Sequence, residues 1–148
     1  MAEIHDEQRW ANLAHLALII SRKIQHQSYR DQRAVLLTQS EAVVLCHLLH
    51  GDPVTPSQIA DATGLQRPNV SASLRTLKYK GLIEKKTNPT DGRGFTVHPT
   101  TLGRATYERV RREWATSVAV AADRDTSDLD AAIAVLNKVK EGLEKQLR

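Results

Sequence analysis

Cysteine occurs once in the 148 residues, at Cys46, which excludes an internal disulfide and any multi-cysteine zinc site. Such a chain suits a reducing, cytoplasmic setting. Aromatic residues are only 4% of the total, so Leu, Val, Ile and Ala must fill the core that a 41% hydrophobic share allows. No apolar run approaches the roughly 20 residues needed to span a bilayer, and no membrane partner is expected. The opening MAEIHDEQRW also lacks the basic-then-apolar order of a signal peptide. Enzyme signatures are missing as well: there is no nucleotide-binding glycine loop, no nucleophile elbow and no acid pair in a recognisable frame. Neither a catalytic residue nor a cofactor is implied. The chain shows no internal repeat and no low-complexity tract, and its length fits one domain with a helical extension.

What is present is an uneven distribution of charge. The net charge is +4, and all of it lies in the middle third. Between Thr55 and His98 stand seven bases (Arg67, Arg75, Lys78, Lys80, Lys85, Lys86, Arg93) and three acids (Asp61, Glu84, Asp91), while the remainder holds fourteen of each sign. A basic block of this kind points either to a polyanionic partner or to a merely solvated face.

Periodicity gives a mainly α chain with one β-hairpin. Trp10, Leu13, Ala17, Ile20 and Ile24 recur at three- and four-residue steps and predict a first helix over about Asp6–Gln27, followed by the loop SYRDQRAVLL. Thr38-Gln39-Ser40-Glu41 is a capping box that opens a second helix carrying Val43, Val44, Leu48 and Leu49. Thr55-Pro56-Ser57-Gln58 repeats the device, with proline at the first helical position. That third helix ends at Gly64, a left-handed cap. A fourth helix runs from Arg67 to Lys80 with Val70, Leu74 and Leu77 as its buried stripe, and Gly81 stops it. Strands follow at 82–86 and 94–98 around the polar tip NPTDGRGF. Thr100 caps a long fifth helix reaching Ala122, and a sixth starts at Thr126 or Ser127 with Leu129, Ile133, Leu136, Leu143 and Leu147 in register.

The third and fourth helices are separated by about three residues. Ala60 allows them to cross closely, Gly64 takes the sharp turn, and Val70 locks one on the other, which is the spacing of a helix-turn-helix. The hairpin directly afterwards makes it a winged helix. In such a motif the fourth helix enters the major groove N-terminal end first. The wing then meets the adjacent minor groove, where Arg93 would insert, oriented by Asp91.

The stretches TPSQIADATGLQRPNVSASLRTLKYKGLIEKK and DGRGFTVHPTTLGR resemble those of MarR-type (multiple antibiotic resistance regulator) transcription factors. Asp91, Arg93, Val97, Thr100 and Gly103 match the family wing; Pro99 replaces its usual leucine, which is expected to loosen the last pairing of the strand. The resemblance covers nearly the whole chain and implies three regions. Residues 1–37 supply a dimerisation helix and loop, 38–99 the winged helix-turn-helix, and 100–148 two further dimerisation helices. It implies a homodimer on double-stranded DNA at a palindromic operator, acting as a repressor. It also implies release by a small aromatic or phenolic effector held between the dimer helices and the winged domain. The apolar character of the first helix and the length of the sixth agree that a monomer would leave both unsatisfied.

Within the motif, Gln66, Arg67, Pro68, Asn69 and Ala72 lie at the groove-entering end. Asn69 is suited to an adenine edge, and Arg67 to a guanine or a phosphate. Thr55, Ser71, Ser73, Arg75 and Lys78 are placed for the backbone. Many relatives carry a base where Ala72 stands, so readout shifts to its neighbours here. Trp10, His15, His47 and Trp114 join a flat apolar body to a polar handle and are effector candidates; plain interface packing is the other reading for the two tryptophans. Cys46 reads as a small core thiol, and His47 with His50 lacks the third ligand a metal needs. The rival function is a winged-helix protein-docking module, which would show an apolar exposed face on the fourth helix.

Overall fold

A computed structural model describes residues 2–26, 35–52, 54–87 and 94–146. Among the described residues, six helices and one antiparallel hairpin follow the expected order: α1 (Ala2–Gln25), α2 (Gln39–His50), α3 (Pro56–Thr63), α4 (Arg67–Tyr79), β1 (Ile83–Thr87), β2 (Phe95–Pro99), α5 (Thr101–Ala121) and α6 (Leu129–Gln146). The first helix starts earlier than its apolar period; its expected end at Gln27 and most of the following loop lie outside the described residues. No described helix is long and apolar enough to cross a membrane.

Both capping boxes form. Thr38 accepts the Glu41 amide while the Glu41 carboxylate accepts the Thr38 amide, and Thr55 and Gln58 exchange the same pair of bonds. Gly64 takes the left-handed conformation at φ 70° and returns its amide to the Ala60 carbonyl. At the end of α4, Gly81 is again left-handed at φ 72°, with Gly81 bonded to the Lys78 carbonyl and Leu82 to that of Leu77. This Schellman closure occupies Leu82, so β1 begins one residue later than its hydrophobicity indicates.

The hairpin pairs Ile83 with Pro99 through Thr87 with Phe95. Contrary to expectation, Pro99 keeps its place in the register. It is the terminal residue of the strand, and the Thr100 amide supplies the next bond, to Leu82. Val54 adds a single bridge to Val97.

One core holds this half of the molecule together. Leu45, Ile59, Val70, Leu77, Leu82 and Val97 are fully buried in it, joined by Val44 and the ring of Tyr107. The stretch between the last two helices differs from the reading. Asp123 and Arg124 adopt left-handed φ values of 51° and 58°, and Asp125 accepts the Ser127 amide in a local turn. That turn uses up the residues expected to begin the sixth helix, which starts at Leu129 instead. Nothing in α6 is buried within the chain. Leu16, Ile20, Ile133, Leu136 and Leu143 are all exposed, so α1 and α6 present apolar stripes to solvent.

Candidate nucleic-acid interface and ligand crevice

The recognition face is built from the α3–α4 pair. Val70, Leu74 and Leu77 turn inward, which leaves Arg67, Pro68, Asn69, Ser71, Ala72, Arg75 and Lys78 on the outer side of α4. Gln66 occupies the N-cap without using its side chain for capping, so its amide group is available beside Arg67. Among the described residues, Arg67, Arg75 and Lys78 have no acidic partner. Ser73 requires a correction. It is 6% exposed and lies on the core side of α4, where a DNA backbone does not reach it. The Thr55 hydroxyl is committed to its capping box, accepting from the Gln58 amide and donating to the Gln58 side chain. Asp91 and Arg93, the expected wing-tip pair, lie outside the described residues.

A clasp that the sequence reading missed fixes the far end of α4. Glu41, buried at the start of α2, accepts from Lys80 Nζ at 2.6 Å and from Thr76 Oγ1 at 2.7 Å. Lys80 also donates to the Leu36 carbonyl at 2.9 Å. Burial by itself would raise the Glu41 carboxyl; the bonds from Lys80, Thr76 and the Thr38 amide outweigh it and hold the group below the usual carboxylate range.

On the other side of α2 lies a crevice of about 960 Å³, walled by α1, α2, α5 and α6. His47 and Trp114 line it, as expected of effector contacts, whereas Trp10 and His15 are not among its lining residues. Cys46, His50 and Tyr107 join the wall instead. Cys46 is therefore only partly a core thiol: it packs on the core and also faces the crevice. The Tyr107 ring meets Trp114 edge-on at 6.5 Å and His50 at 6.3 Å. Burial, and then the Cys46 sulfur beside it, push the Tyr107 phenol far above its ordinary value, so it remains an O–H donor. His50 Nδ1 sits 2.8 Å from the Cys46 carbonyl; since a carbonyl only accepts, Nδ1 carries the hydrogen and Nε2 is the acceptor in the neutral ring. Among the described residues no group of His, Cys, Asp and Glu is placed to hold a metal ion.

A sequence model of the MarR family matches residues 37–94, the span from the α2 cap to the start of β2. The fold is the winged helix-turn-helix of MarR-type regulators. Solved structures extend the likeness beyond the matched span. The MarR family transcription regulator SP03579 is 21% identical at a TM-score of 0.69, covering 98% of this chain and 94% of its own. The repressor CouR, solved bound to a 23-mer DNA duplex, is 25% identical at a TM-score of 0.66, over 86% of this chain and 89% of its own. BpsR of Bordetella bronchiseptica, whose DNA binding is regulated by 6-hydroxynicotinic acid, is 23% identical at a TM-score of 0.67, over 88% of this chain and 98% of its own. No curated protein sequence matches the chain. In this chain the helix-turn-helix and hairpin sit between the first helix and the last two.

Proposed function

We propose that this protein is a MarR-type regulator, a repressor that binds a palindromic operator as a homodimer and lets go of it when an aromatic or phenolic ligand enters the crevice. The observation that carries the DNA reading is the outer face of α4, which is polar and basic, with Arg67, Arg75 and Lys78 unpaired among the described residues. A protein-docking winged helix would present apolar side chains there. Helix α4 reads base edges through Asn69 and Arg67, while Ser71, Arg75 and Lys78 hold phosphates. The DNA complex of CouR supports this placement. The exposed stripes of α1 and α6 support the dimer, since a second copy would cover them. The crevice supports the effector: an apolar slot with the Tyr107 O–H as donor and His50 Nε2 as acceptor suits a flat ring bearing a hydroxyl or carboxyl group. Regulation of BpsR by a small ring acid agrees. A DNA partner also implies a cytoplasmic location.

The test is a gel shift with DNA from upstream of the protein's own coding region, followed by titration with a panel of phenolic and aromatic acids. Binding at one palindromic site, reversed by a panel member, is expected. Failure to shift any upstream fragment, together with a monomer in solution, would leave the docking module as the better reading.

A further inference from the structure

A second cleft, of about 530 Å³, lies between α4 and the hairpin. Its wall includes Ser71, Arg75, Lys78 and Tyr79 from α4, Lys85 from β1 and Phe95 from β2. Side chains alternate across a strand, so Lys85 shares the inner face of the hairpin with Ile83, and its register partner Val97 is fully buried. A lysine on that face is unexpected, because the same face seals the core. Its ammonium stands 4.5 Å from the centre of the Phe95 ring, and Phe95 in turn packs on the core. The neighbouring base of β1 is already neutralised: Lys86 pairs with Glu84 at 3.1 Å on the outer face. Among the described residues, no acid lines the cleft. Three cations thus face one cavity with no counter-charge among the described residues, an arrangement that repels itself until an anion enters. Two neutral donors, the hydroxyls of Ser71 and of the almost fully exposed Tyr79, stand at the same cavity.

We infer that this cleft seats one backbone phosphate of bound DNA, with Lys85 as a phosphate ligand and Phe95 as the residue that positions it; the inference rests on the DNA-binding reading above. The ring face holds the ammonium by cation–π attraction without neutralising it. Lys85 would then meet the phosphate already extended, where an unsupported lysine must first be ordered. The seat ties the wing and α4 to the same phosphate, so it fixes the angle between them on the duplex.

Phosphate contacts are independent of sequence, so a short random-sequence duplex serves as the probe, with affinity followed across a series of salt concentrations. Lys85→Gln should lower the slope of log affinity against log salt by about 0.9. Phe95→Leu keeps the charge and should keep most of the slope while weakening binding several-fold; Phe95→Tyr, which retains a ring face, should bind as the parent does. In a Lys85→Gln background, Phe95→Leu should add nothing further. A purely structural role for Phe95 would instead weaken binding equally with and without Lys85, and that result overturns the positioning role. If Phe95→Leu does not fold, Lys85→Gln and Phe95→Tyr still decide. A parent that binds the duplex with an unchanged slope in Lys85→Gln overturns the inference and leaves DNA binding intact, whereas a parent that binds no DNA removes the reading beneath it. Inorganic phosphate at matched ionic strength completes the test. If it raises the melting temperature of the free protein through Lys85 while the DNA slope ignores that residue, the cleft is a free-anion site and the inference fails.

Discussion

Glu41 does two jobs with one carboxylate, capping α2 and clasping α4, and only the first was legible. The capping box is a four-residue pattern, but Lys80 stands 39 residues away, and no local rule joins them. Glu41→Ala should cost about 2–4 kcal/mol, because it strands a half-buried ammonium as well as removing a cap. Urea unfolding would measure it, and a loss under about 1 kcal/mol would show the clasp to be incidental. The clasp also fixes a pH dependence. The folded carboxyl lies below its ordinary 4.5, so the unfolded chain binds the proton more readily. The stabilisation is complete above the unfolded value and is lost as pH falls through the lower folded one. Stability of the parent should therefore drop more steeply on acidification than that of Glu41→Gln. Ser73, by contrast, was legible and misread. It stands three residues after Val70 and four before Leu77, on the buried stripe, and its polarity concealed what the helical period states. Arg93 remains an expectation: Arg93→Ala should lower the salt slope by about one and weaken binding by roughly 1–3 kcal/mol, chiefly on A·T-rich flanks. An unaltered affinity at every salt concentration would make the tip a solvated turn.

At the scale of elements, the order of helices and strands was readable because each begins or ends on a chemical signal that lies within four residues of it. The turn before α6 was missed because its residues, Asp123 and Arg124, take left-handed φ values without a glycine to announce them. The joint between the wing and α5 was equally hidden. Gly103 had matched a family pattern with no reason attached. The structure supplies one: a Cβ there would stand 2.1 Å from the Leu82 carbonyl oxygen, so the helix rests directly on the backbone that leads into β1. Thr100 closes the same joint, donating its hydroxyl to the Gly81 carbonyl at 2.7 Å and accepting the Gly103 amide at 3.0 Å. Gly103→Ala should therefore destabilise by about 3 kcal/mol or more, despite the better helix propensity of alanine, because backbone on both sides must move. Chemical denaturation would show it; a neutral or stabilising effect would mean that the joint yields easily.

For the whole molecule, the sequence showed apolar stripes on the first and last helices but could not say what covers them, since the amino-acid pattern of an intrachain face and of an interchain face is the same. The structure leaves both uncovered within one chain. Cutting after Ala122 removes α6 and should expose the surface that α1 shares with it in the proposed dimer, giving aggregation or loss of folding and no DNA binding. A truncated chain that sediments as a folded monomer and still binds DNA would contradict that arrangement. The rigid joint at Gly103 has a geometric corollary. Helix α5 has 21 residues, so it is roughly 30 Å long. Seated without slack on the backbone behind α4, it is placed as a lever arm whose short end is the helix-turn-helix. A tilt of about 10° at the joint sweeps its far end through about 5 Å. In the proposed dimer on its proposed operator, a small wedge anywhere along that arm would change the distance between two α4 helices that must match half-sites about 34 Å apart, so the spacing of the duplex grooves would become the gauge against which such a wedge is felt.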